Sequence, residues 1–134
     1  MKRNAAEIAQ NMVHKLWEPY LKRVNYARKY YEMLEKKGGN LVFDHLAFRT
    51  LNTHTGEQPE GIQAIGHIMR SLGYLKAGDY RFVKKKLKAA YFEHTEQALP
   101  KIFVSQLEIE ELPEWAQKKV KETGAAWISI IRME

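Results

Sequence analysis

The sequence predicts an α+β module in which two helices precede a β-α-β-β-β run. Three observations predict it. Apolar residues recur at helical spacing in 4–20 and 62–72, a period of two appears in 41–49 and 79–94, and glycines or turn formers separate the segments. The 134 residues amount to one compact domain, divided into a helical extension over 1–40 and the module itself over 41–134.

Each element has its own signal. Ile8, Met12, Val13, Leu16 and Trp17 form one apolar face of a first helix, and Pro19 implies a break or kink near Glu18. A second helix spans 24–36 and stops at Gly38-Gly39. Residues 41–49 then read as a strand and 51–60 as a polar loop. Ile62, Ile65, Ile68, Met69 and Leu72 define an amphipathic helix closed by Gly73. Residues 79–94 make two strands joined by a tight turn at the lysines, and 101–108, behind Pro100, make a further strand. A last helix over 113–122 ends at Gly124, after which 127–131 begin one more strand. One helix on a four-stranded sheet leaves the other sheet face in need of a partner. With that final strand stub, the chain reads as a module and not as a finished fold.

Composition narrows the classes. Apolar residues at 45% and charged residues at 28% exclude a disordered tail. No run of about 18 uncharged apolar residues occurs, so no transmembrane helix is expected. The basic N-terminus lacks the apolar stretch of a secretory leader, and the cytoplasm is the default compartment. Zero cysteines exclude disulfides, thiolate metal sites and a cysteine nucleophile together. Lys plus Arg less Asp plus Glu is 22 − 16 = +6, which favours anionic partners, from nucleic acid down to a small carboxylate.

The most informative residues are 43–50, FDHLAFRT. In a strand Phe43, His45, Ala47 and Arg49 share one face while Asp44, Leu46 and Phe48 share the other. If Leu46 and Phe48 meet the covering helix, His45 and Arg49 point to the opposite side with small Ala47 between them. Their Cα atoms then lie about 13 Å apart. A neutral imidazole is a common ligand for iron, zinc or manganese, and an arginine fork suits a carboxylate. The same spacing also describes a half-buried histidine and a surface arginine on an edge strand.

FDHLAFRT, followed by GIQAIGHIMRSLGY, GDYRF and LPKIFVSQLE, resembles the start of the 2-oxoadipate dioxygenase/decarboxylase family, the hydroxyglutarate synthases. The likeness covers about 42–108 with the four blocks in the family's order. The family belongs to the vicinal oxygen chelate superfamily, whose barrels pair βαβββ modules, so this chain resembles the first module, a half barrel behind a helical preface. The resemblance implies an Fe(II) enzyme that takes 2-oxoadipate and O2 and yields 2-hydroxyglutarate. It implies that His45 is a metal ligand and that Arg49 grips the substrate carboxylate. A second histidine and a glutamate would come from a second module, of which this chain carries no counterpart. The chain is then a fragment, half of a barrel completed by another polypeptide, or one of two paired copies. Glu108 is the nearest carboxylate for the paired-copy case.

Other residues have plainer readings beside functional ones. Arg81, in GDYRF, is the second candidate for an anion contact, and a solvated strand arginine explains it as well. Tyr80 offers a hydroxyl or packs. Ser105 and Gln106 alternate faces, so only one meets the site. His14 reads as a helix-surface residue, His54 as a loop residue, His67 as solvent-exposed and His94 as the end of a strand. Five histidines without HExxH or His-x-His spacing argue against a zinc hydrolase. Lys84–Lys86 with Lys88, near Tyr80, Phe82, Tyr91 and Phe92, could serve nucleic acid, but lysines protecting a hairpin edge are favoured. No membrane or nucleic-acid partner is expected. The other class of function is a non-catalytic basic binding or assembly module on the half-barrel scaffold.

Overall fold

A computed structural model describes residues 4–53 and 59–133, with side chains described up to residue 123. His54, assigned to the loop, lies outside the described residues.

Two helices open the chain, α1 (Ala5–Arg23) and α2 (Asn25–Lys36). Asn4 caps α1 by accepting the Ala6 N–H at 3.2 Å, which satisfies one of the free donors of its first turn. The expected break near Glu18 does not occur, because Pro19 stays inside α1. A proline there removes one backbone bond, and the break falls instead at Val24, whose extended conformation (φ −112°, ψ 92°) separates the helices.

The module follows as β1 (His45–Leu51), α3 (Gly61–Ser71), β2 (Leu75–Phe82), β3 (Leu87–Glu93) and β4 (Lys101–Leu107). The sheet order is β1-β4-β3-β2. Parallel pairing of β1 with β4 sets His45 opposite Lys101 and Arg49 opposite Ser105, while β4-β3 and β3-β2 are antiparallel. A short 3-10 turn, Val83–Lys85, joins β2 to β3, with Lys86 in the left-handed region at φ 55°. The lysine run is thus the turn of a hairpin.

The last element, α4 (Glu114–Met133), corrects an expectation. It does not end at Gly124, and 127–131 are helix and not strand. A glycine inside a helix costs only about 1 kcal/mol, and the two alanines after Gly124 are the best helix formers, so the helix continues. The strand stub that suggested an interrupted barrel does not exist.

One face of the sheet is packed. Phe92, Ile102, Val104 and Ala90 form the core with Met69 of α3, Tyr74 and Leu99, and Leu46, Phe48, Ile62, Ile65 and Leu72 pack against it. Helix α1 contributes Ala9, with Ala6 and Met12 beside it. The first helix therefore shares the cover with α3. Gly61, at φ 59°, starts α3 where any Cβ would lie 2.0 Å from Gln106 Oε1. That oxygen accepts the Ile62 N–H at 3.0 Å and docks the helix onto β4.

Tyr74 is fully buried and donates its hydroxyl to the Pro100 carbonyl at 3.0 Å. Burial pushes its pKa up from the ordinary 10.0. A raised folded-state pKa contributes stability that is fully present below about pH 10 and is lost as pH rises above it. Tyr74→Phe should therefore lose less stability than the parent between pH 8 and pH 11, read as urea midpoints across the series. An equal loss in both chains would show that Tyr74 does not titrate with unfolding. No described helix is long and apolar enough to cross a membrane.

Candidate metal and carboxylate site

The other face of the sheet is open. Along β1 exposure alternates, with His45, Ala47, Arg49 and Leu51 exposed and Leu46, Phe48 and Thr50 turned toward the core. The sheet register adds Phe103 and Ser105 from β4, Tyr91 and Leu87 from β3, and Tyr80 and Phe82 from β2 to the face of His45. Tyr80 and Phe82 remain 49% and 41% exposed, a large apolar area for a surface. Tyr80 stacks on Phe82 and Tyr91, with ring centroids 6.3 and 5.8 Å apart.

Among the cavities along this face, two meet in the middle of the sheet. One of about 370 Å³ is lined by Asp44, His45, Tyr80, Phe82, Tyr91, Lys101 and Phe103. The other, about 450 Å³, is lined at one side by Arg49, Thr50 and Ser105 and also contains Lys85, Phe82 and Phe103. Phe82 and Phe103 border both, so His45 and Arg49 stand toward opposite ends of one aromatic-floored trough. A small bifunctional acid can lie along such a floor with one end at each residue.

The two residues differ from the other candidates in their bonding. His45 Nδ1 lies 2.8 Å from Asp44 Oδ2, and among the described residues nothing bonds its Nε2. The Arg49 guanidinium has no hydrogen-bond or ion-pair partner among the described residues. Lys101, directly across from His45, is 3.2 Å from Glu93, whose carboxylate holds the lysine pKa above its usual value. Arg81, by contrast, is not brought to this face. It alternates with Tyr80 and Phe82, stands on the opposite side of β2, and pairs with Glu111. The structure groups His45 with Arg49 and leaves Arg81 apart.

Of the Ser105–Gln106 pair, Ser105 lies on the open face and Gln106 turns to α3. Glu108 is unsuited to the role of nearby carboxylate. It is buried, accepts from Asn52 Nδ2 and from Gln106, and pairs with Lys88 Nζ at 3.1 Å. His14 and His67 are exposed. His94 is held between the Leu72 carbonyl, 3.1 Å from Nε2, and the Glu96 N–H, 2.9 Å from Nδ1. A carbonyl only accepts and an N–H only donates, so His94 is the neutral Nε2–H form and serves the fold.

Sequence reasoning misses Asp44 as a neighbour of His45, because strict alternation sets the two on opposite faces. Asp44 precedes the first residue of β1, where alternation no longer applies. Tyr91, Phe103 and Lys101 escape it as well, and only the pairing register of β1, β4 and β3 reveals them.

A family model for 2-oxoadipate dioxygenase/decarboxylase matches residues 9–133. The chain belongs to that family. Among curated proteins it is 27% identical over 126 residues to the chloroplastic/amyloplastic 2-oxoadipate dioxygenase/decarboxylase of Oryza sativa subsp. japonica, covering 86% of this chain and 34% of that protein. The crystal structure of the hydroxyglutarate synthase from Oryza sativa in complex with 2-oxoadipate superposes with a TM-score of 0.80 at 26% identity, over 91% of this chain and 41% of that one. A glyoxalase superfamily protein of Ralstonia eutropha JMP134 gives a TM-score of 0.77 at 32% identity, over 84% and 36%. The chain thus spans about a third of the length of the curated relative it matches, and its fold is of the glyoxalase type.

The donor present in this chain is one imidazole, a group that ligates iron, zinc or manganese alike. Among the described residues no three His, Asp or Glu side chains converge as a metal cage. His45 lines the trough with its imidazole, and a 2-His-1-carboxylate centre would require two further ligands.

Proposed function

We propose that this chain supplies half of the active site of a non-haem Fe(II)-dependent dioxygenase/decarboxylase acting on 2-oxoadipate or a similar 2-oxo acid. His45 is the metal ligand that this half contributes, and Arg49 holds a substrate carboxylate. The barrel is completed by a second module, further along the same polypeptide, in another polypeptide or in a second copy of this chain. The observation that carries the reading is that His45 and Arg49 line one trough, with no partner for the His45 Nε2 or the Arg49 guanidinium among the described residues. Membership of the family supplies the reaction class.

The chain's own groups then have definite tasks. Arg49 offers a planar fork that can take both oxygens of a carboxylate and fix its orientation. Tyr80, Phe82, Tyr91 and Phe103 provide an apolar floor for the methylene stem of the acid and reduce water on that side. What a bound Fe(II) supplies is activation of O2 and chelation of the 2-oxo acid through its keto and carboxylate oxygens.

The test is iron stoichiometry after anaerobic Fe(II) loading and desalting, with wild type and His45→Ala side by side. Where two copies of this chain complete the centre, iron near one per dimer, lost in His45→Ala, is the expected result. Equal retention in both would remove His45 from the centre. No iron in either would overturn the variant of the proposal in which copies of this chain complete the centre alone.

A further inference from the structure

We infer that Asp44 is the positioning residue of His45, setting its tautomer so that Nε2 carries the free lone pair. The inference rests on the reading of His45 as a ligand and adds how this chain prepares it. Asp44 Oδ2 is 2.8 Å from His45 Nδ1, and a carboxylate only accepts, so the proton of a neutral His45 resides on Nδ1. Nε2, which has no partner among the described residues, is then the unprotonated nitrogen. The aspartate is itself fixed from the backbone. Its carbonyl accepts the Lys101 N–H at 3.0 Å, which ties the residue before β1 to the start of β4. The side chain therefore leaves from a position held by the sheet, one residue before strand alternation begins.

A carboxylate on the distal nitrogen does two things for a metal-binding imidazole. It selects the productive tautomer and ring orientation, and it raises the basicity of the ligating nitrogen. His94 in the same molecule has the opposite arrangement, with Nε2 donating to the Leu72 carbonyl and Nδ1 accepting from Glu96. The chain thus contains its own reference for the other tautomer.

The experiment is long-range 1H–15N correlation on the uniformly labelled chain at about pH 8.5, where an ordinary imidazole is neutral. His45 should show a protonated-type Nδ1 and an unprotonated-type Nε2, and His94 the reverse. In Asp44→Ala the His45 pattern should move to a majority of Nε2–H while His94 stays unchanged. Asp44 is 88% exposed, so its removal leaves the core intact, and the constant His94 pattern verifies this. An Nε2–H His45 in the parent chain, or an unchanged pattern in Asp44→Ala, would overturn the inference. Either result would leave His45 as a ligand to be judged by iron retention, because the tautomer is read without any metal present.

Discussion

Phe92→Ala is expected to destabilise the chain by about 3–5 kcal/mol, whereas Phe82→Ala should cost about 1 kcal/mol. Both are strand phenylalanines of the same hairpin, and hydropathy alone gives no reason to separate them. Phe92 is 1% exposed and packs under α3, where its ring meets the space above Gly66. Phe82 lies on the open face at 41% exposure and borders both cavities. Truncating Phe92 leaves a void among Met69, Ile102 and Val104, which a packed interior refills only in part. Truncating Phe82 removes surface that water already reaches. Urea unfolding of the two variants beside the parent measures the difference, since each change in midpoint converts through a common slope. Equal costs would mean that the face of His45 is as tightly packed as the α3 face, and the trough would lose its meaning as a binding surface.

Periodicity decides which parts of this fold are legible in the amino-acid sequence. The order of elements through β4 is readable because most carry a clean period, with Gly38-Gly39, Gly73 and Pro100 marking several boundaries. The two faces of β1 are readable because alternation is a local rule, and Leu46 and Phe48 do turn to the core while His45 and Arg49 do not. Arg81 shows the limit of that rule. Its alternation with Tyr80 and Phe82 is visible in the sequence, but which set faces the trough depends on pairing with β3, a long-range fact. Glu108 is a candidate only by proximity along the chain, and its true partners Asn52 and Lys88 come from other segments. Pro19 and Gly124 mislead for one reason. Each is a breaker by intrinsic preference, of order 1–3 kcal/mol, and continuous helices on either side outweigh it.

Arg49→Ala should lower kcat/KM for a 2-oxo dicarboxylic acid by about 30-fold to several thousand-fold, the equivalent of about 2–5 kcal/mol for losing one partner of a charged hydrogen-bonded pair. The loss should fall mainly on KM, because a carboxylate remote from the reacting carbons is held alike before and during the reaction. Arg81→Ala should change kcat/KM by less than about fivefold, an expectation for a surface ion pair worth at most about 1 kcal/mol. The contrast is sharper than either value. Both residues are strand arginines in a basic chain, so a general loss of positive charge would affect them alike, and salt would mask both equally. Their placement differs, Arg49 toward the trough and without an ion-pair partner among the described residues, Arg81 away from it and bound to Glu111. The measurement is steady-state kinetics of the completed enzyme, with the second module present, across a range of acid concentrations. Equal effects of the two substitutions would move the carboxylate contact off β1. A large effect of Arg81 alone would require β2 to turn its other face to the substrate, which the register of Tyr80 with Ala89 does not allow.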